Sequence, residues 1–204
     1  MTLQVNLNPD PAAIGPELSV LEPGVAPGHP DDSAELTRYI VARFHDAHRA
    51  QLPELIRLAR NVERVHAYRV GVPAGLAKLL EQLQQDLLDH MAIEETVLFP
   101  MMAREPDARI AHPIAMMRAD HDVQARAVER MFALTRELEL PEGACNTWRA
   151  LYLGLRQFAD DLIEHVHIEN DGLFKRYEAA ASAGARLGRA IPPGAAGHSD
   201  TARA

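Results

Sequence analysis

The sequence has a single cysteine, Cys145, in 204 residues, so no disulfide framework can hold the chain together. Aromatic residues amount to only 5%, with one tryptophan, Trp148, which leaves aliphatic side chains to fill any core. No apolar run approaches the roughly 18 uncharged residues that a membrane-spanning helix needs. A basic excess is missing too. Lys and Arg number 21 against 29 Asp and Glu, a formal charge of −8, which argues against a phosphate-neutralising face for nucleic acid. The opening MTLQVNLNPDP has neither the basic nor the apolar region of a secretory signal. These absences lead to the expectation of a soluble, reduced, cytoplasmic protein with one real core. Histidine, by contrast, is plentiful: there are ten.

Residues 1–30 hold six of the fourteen prolines, Pro9, Pro11, Pro16, Pro23, Pro27 and Pro30, with Gly15, Gly24 and Gly28 among them. Such a stretch cannot propagate a helix and has little to bury, so a flexible or extended arm is expected. Residues 184–204 are small, Pro/Gly-rich and aperiodic, and read as a disordered tail. Residues 31–183 read as helical. Asp32 and Glu35 form an N-cap pair opening a first helix to about 65, with Pro53 expected to kink or split it. Pro73 suits the first turn of a second helix running to about Phe99. Pro113 starts a third, about 113–139, and Asn146 caps a fourth that reaches about 182. Four long helices, short connections and no strand pattern predict an all-α, antiparallel up-down four-helix bundle.

The apolar stripe of the second helix reads Leu76, Leu80, Leu83, Leu87, His90, Glu94, Leu98, so two polar residues occupy core positions. The fourth helix repeats the pattern with Leu155, Phe158, Leu162, His165, Glu169 and Leu173. His121 lies on the stripe of the third helix, and His45 shares a face with Val41, Leu52, Ile56 and Ala59 in the first. HMAIEETVLFP (90–100) aligns with HVHIENDGLFK (165–175), and His45-Asp46 with His121-Asp122, at offsets of 75 and 76 residues. The chain therefore reads as two related helical hairpins. At 1.5 Å rise per residue, all four histidines stand about 17–20 residues from their hairpin turns, so they can meet at one depth.

Two His-x-x-x-Glu pairs and two single histidines then point four imidazoles and two carboxylates into a Leu-rich core. Burying such carboxylates unpaired costs on the order of several kcal/mol each, a cost that a pair of cations removes. His45, His90, Glu94, His121, His165 and Glu169 are the candidate metal ligands, with both glutamates bridging. The repeat suggests grouping His45 with His90 and His121 with His165. Mixed nitrogen and oxygen ligation suits iron, with manganese and zinc open on ligand type; without a thiolate ligand an iron–sulfur cluster is not expected. His66 lies about 31 Å from His45 along a continuous helix and is left out. His48, one turn from His45, is a candidate for orienting a ligand. His112 and His167 are expected to be solvated, and Glu95 to face away as a surface charge. Tyr39, Tyr152 and Tyr177 are expected to pack rather than line an access route, and Cys145 to be an incidental thiol in a turn.

This ligand set in a four-helix bundle resembles the hemerythrin-like superfamily. RFHDAHRAQLPELI (43–56), HMAIEETVLFPMM (90–102), PIAMMRADHD (113–122), ACNTWRALY (144–152) and FADDLIEHVHIEN (158–170) are similar to its repair-of-iron-centres branch. The resemblance covers roughly 34–178. It implies a cytoplasmic non-haem protein with two iron ions under an oxo or hydroxo bridge, monomeric or homodimeric. Such a protein helps to repair iron–sulfur clusters damaged by nitrosative or oxidative stress, by iron donation, with the damaged proteins as clients. The alternative is a protein that binds, scavenges or reduces nitric oxide, or binds oxygen. His66 also matches a histidine of the family pattern. Many relatives carry an N-terminal domain with a cysteine pair, whereas residues 1–30 here contain no cysteine. Oxygen-carrying hemerythrins have a second histidine one turn after His121, where this chain has Ala125; that leaves a more open metal.

Overall fold

The computed structural model describes residues 30–104 and 108–179, so the expected arm and tail lie outside the described residues, save Pro30. Four long helices follow one another, with no strand among the described residues. Helix α1 (33–65) comprises Ser33–Ile40, a π-helical turn at Val41–His45, and Asp46–Val65. Its N-cap is the expected one: the Asp32 carboxylate accepts from the Glu35 backbone N–H at 2.9 Å. Pro53 does not split the helix, which runs on through it between the buried Leu52 and Ile56.

Helix α2 (76–102) comprises Leu76–Ile93, a π-helical turn at Glu94–Leu98, and Phe99–Met102. It starts three residues after Pro73. Gly75 is its N-cap, with a left-handed φ of 90°, and the Glu63 carboxylate accepts from the Ala77 N–H at 3.0 Å. Pro100 does not stop this helix, because it sits in the first turn of the last segment, where its missing N–H costs little. Helix α3 is Ala111–Thr135, four residues shorter than expected at its end. Thr135 stops it: its hydroxyl donates to the Met131 carbonyl at 2.8 Å and accepts from the Leu138 N–H at 3.3 Å. Arg136, Glu137 and Leu138 then all turn to positive φ. Helix α4 (146–179) comprises Asn146–His167, a π-helical turn at Ile168–Leu173 and a final segment to 179. Its N-cap is Cys145, one residue before the expected Asn146.

Two apolar clusters fill the bundle. One joins residues 52–62, 76–91, 128–131 and 144–162. The other joins 36–44, 98–102, 110–117 and 168–177. The second cluster precedes the first along α1 and α3 and follows it along α2 and α4, so chain direction alternates, as an up-down bundle requires. In every helix the boundary between the clusters falls at the residues singled out above: His45, His90 to Glu94, His121, and His165 to Glu169. The layers seal this boundary from both ends. Gly154 lets α4 approach α1, since a Cβ there would stand 2.7 Å from the Leu55 side chain. Of the neighbouring helices α3 and α4 touch least, and a cleft opens between them.

Candidate metal centre

Three of the four helices widen into a π turn at the polar layer, and each turn carries a candidate ligand: His45, Glu94 or Glu169. The spacing explains two of them. His90, Glu94 and Leu98 follow at steps of four and four, as do His165, Glu169 and Leu173. At 100° per residue, eight residues overshoot two full turns by about 80° and would carry the last leucine off the core. The wider turn absorbs that excess, so ligand and leucine both point inward; such insertions favour functional sites.

All six side chains converge and are buried, none more than 3% exposed. His45 Nε2 stands 3.2 Å from His165 Nε2, and His90 Nε2 stands 3.2 Å from His121 Nε2. A Glu94 oxygen lies 3.4 Å from both His45 Nε2 and His90 Nε2. The Glu169 oxygens lie 3.0 Å from His165 Nε2 and 3.1 Å from His121 Nε2. Ligand atoms of His45, Glu94, His165 and Glu169 fall within 4.8 Å of one another, and so do those of His90, Glu94, His121 and Glu169. The imidazoles thus group across the hairpins, His45 with His165 and His90 with His121. This corrects the grouping by sequence repeat: crossing the bundle brings ring nitrogens of opposite hairpins tip to tip. Both carboxylates belong to both groups.

The donor set fits a pair of cations. Two nitrogens each about 2.1 Å from one metal, at tetrahedral to octahedral angles, stand about 3.0–3.4 Å apart, as these do. Both Glu94 oxygens and one Glu169 oxygen are buried without a hydrogen bond, although imidazole nitrogens lie 3.1–3.4 Å from them. Burial and the neighbouring Glu169 charge push the Glu94 carboxyl well above its ordinary range. Burial opposes the Glu169 charge as well, but the imidazoles of His165 and His121 outweigh it and hold that carboxyl well below its usual range. Burial also pushes His90 down to about 3, so its imidazole is neutral and ready to ligate.

Beyond the six, the structure adds partners that sequence reasoning missed. His45 Nδ1 donates to the Glu95 carboxylate at 2.7 Å, and Arg49 Nη2 holds the same oxygen at 2.7 Å. Glu95 is therefore not the outward surface charge expected. The π turn advances each residue by less than an α-helical 100°, which keeps Glu95 near the face of Glu94. His121 Nδ1 donates to Asn170 Oδ1 at 3.1 Å, and Arg118 Nη1 donates to that same oxygen at 3.1 Å. The signal in the sequence was positional: each partner directly follows a shared glutamate. His48 is fully buried, its ring centroid 5.4 Å from that of His165. Neither of its nitrogens has a hydrogen-bond partner, so it packs against His165 rather than orienting it through a hydrogen bond.

The remaining residues lie apart. His66 sits at the far turn, its Nε2 3.2 Å from Cys145 Sγ and its ring against Trp148, outside both ligand groups. His112 and His167 are exposed, as expected. Tyr177 donates to the Met102 carbonyl at 2.9 Å, Tyr152 packs on Trp148, and Tyr39 packs edge-on against Phe44.

Residues 37–177 match the Hemerythrin HHE cation binding domain. The chain belongs to the hemerythrin family. It is 50% identical over 143 residues to the iron-sulfur cluster repair protein YtfE of Pectobacterium atrosepticum, a match spanning 70% of this chain and 65% of that protein. It is 43% identical over 175 residues to the protein of the same name from Yersinia pseudotuberculosis, spanning 83% of this chain and 78% of that one. The chain thus covers slightly under two thirds of the Pectobacterium protein. Among the described residues of this family member, no helix is long and apolar enough to cross a membrane.

Proposed function

We propose that this hemerythrin-family chain binds two iron ions and supplies iron to iron–sulfur clusters damaged by nitrosative or oxidative stress, acting in the cytoplasm on the damaged proteins as clients. The observation that carries the reading is the pair of buried ligand groups sharing Glu94 and Glu169. The name its relatives carry, iron-sulfur cluster repair protein, supports the client class.

His45 and His165 would hold one ion, His90 and His121 the other, with both glutamates bridging. Iron bound there supplies Lewis acidity, redox chemistry and an ion that can be passed on. The protein's own groups prepare the site. Glu95 and Asn170 fix which nitrogen of His45 and His121 carries the proton, leaving Nε2 free to ligate. Burial and Glu169 push the Glu94 carboxyl well above its ordinary range, and it would have to be ionised to ligate a cation, so uptake should strengthen as pH rises. The apolar layers exclude water from both ends.

The test is to incubate the iron-loaded chain with an enzyme whose iron–sulfur cluster has been destroyed by nitric oxide. Activity should return with the native chain and not with Glu94→Leu. Equal recovery with both, or none with either, contradicts repair.

A further inference from the structure

We infer that the two metal positions are unequal: the one held by His90 and His121 surrenders or exchanges its ion first, while the one held by His45 and His165 retains it. This rests on the two-ion reading above. The repeat supplies both positions with the same ligands, so the inequality has to come from what surrounds them, and two independent features differ in the same direction.

The first is the charge behind the imidazoles. Residues 95 and 170 are equivalent in the repeat, each following a shared glutamate, and each accepts from a ligand's Nδ1 while an arginine grips the same oxygen. At His45 the acceptor is the Glu95 carboxylate, at 2.7 Å. At His121 it is the neutral Asn170 amide, at 3.1 Å. A carboxylate draws the Nδ1 proton and makes Nε2 a stronger donor to metal; an amide does so less. The other two imidazoles do not reverse this. His165 Nδ1 is buried with no partner, and the nearest carboxylate to His90 Nδ1, on Asp120, is half-exposed and 3.5 Å away, beyond hydrogen-bonding distance.

The second is access. The cleft between α3 and α4, about 510 Å³, reaches His121 and is lined there by Ala125 and Asn170. A recess of about 240 Å³ between α2 and α3 reaches His90. Both are bordered by Gln124, whose amide is buried with neither polar atom partnered, a group placed to hold water or a small ligand beside this position. The opposite position is walled more closely: Phe44 lies parallel to His165 at 5.2 Å and His48 packs against the same ring, while the stack of Phe99 on His45 at 6.0 Å is matched by Phe174 on His121 at 5.9 Å and so favours neither position.

The experiment loads the full chain anaerobically with ferrous iron and follows its release to an excess of a chromogenic ferrous chelator. Native protein should release one ion per chain in a fast phase and one in a slow phase. Asn170→Asp should slow the fast phase about tenfold and leave the slow one alone. Ala125→Leu, which fills the cleft without touching a hydrogen bond, should also slow only the fast phase. Glu95→Gln should accelerate only the slow phase, about tenfold. Release of both ions in a single phase, Asn170→Asp and Ala125→Leu acting on the slow phase, or Glu95→Gln acting on the fast one would overturn the inference. Loading below two ions per chain would instead overturn the two-ion reading, and the inference with it.

Discussion

Leu80 and Leu155 are both buried in one aliphatic cluster; ten residues further along the same two helices stand His90 and His165. The two regions are equally buried and built from the same helices, yet they depend on different physics. Around these leucines the aliphatic side chains need only one another. In the polar layer the carboxylate oxygens of Glu94 are buried with nothing donating to them, and a proton or a cation has to complete the site. The comparison teaches that burial alone does not show what a residue is for: one layer supplies stability, and the other is held in place by that stability.

Replacing one side chain in each layer separates the two roles most sharply. Leu80→Ala leaves a cavity in the fully buried aliphatic layer and should cost about 2–5 kcal/mol, with or without metal, as read by denaturant unfolding. A loss confined to the metal-loaded form would erase the distinction. Glu94→Leu should have the reverse profile. Replacing a buried charged or polar group with an apolar one is often neutral or stabilising by about 1–4 kcal/mol, so the metal-free protein should be no less stable than the native one while metal uptake is lost. Marked destabilisation of the metal-free variant would mean that Glu94 is a structural residue.

A smaller effect tests the border between the layers. Burial first, and then His165, pushes His48 down to about 3, against 6.5 for an exposed histidine. The folded metal-free protein therefore keeps His48 neutral where the unfolded chain binds a proton. Its penalty is absent above about pH 6.5 and grows as pH falls toward 3, by about 1.4 kcal/mol per pH unit. His48→Phe, set between Phe44 and Phe158, should flatten the acid-side fall in stability by one proton's slope. An unchanged slope would mean that His48 already carries its proton in the folded state.

Much of this was legible before the fold was known, because polar residues on an apolar stripe announce themselves. The His90/Glu94 and His165/Glu169 pairs break runs of leucine, their repeat reveals two hairpins, and helical rise alone brings the four histidines to one depth. The cross-hairpin grouping was hidden, since the repeat is a relation along the chain and contact in a bundle is a relation across it. The role of Glu95 was hidden by assuming a uniform 100° per residue, when the double step of four from His90 to Leu98 already required a wider turn. Thr135 ended α3 early through its own hydroxyl, a local bond that periodicity does not carry.

The most direct test of the central claim, that six buried side chains exist to hold two metal ions, is an anaerobic titration of the metal-free chain with ferrous iron, with bound metal counted per chain. Uptake should saturate at two ions in the native protein and fall below one in Glu94→Leu and in Glu169→Leu. A native chain that binds no metal, or glutamate variants that still bind two ions, would contradict it.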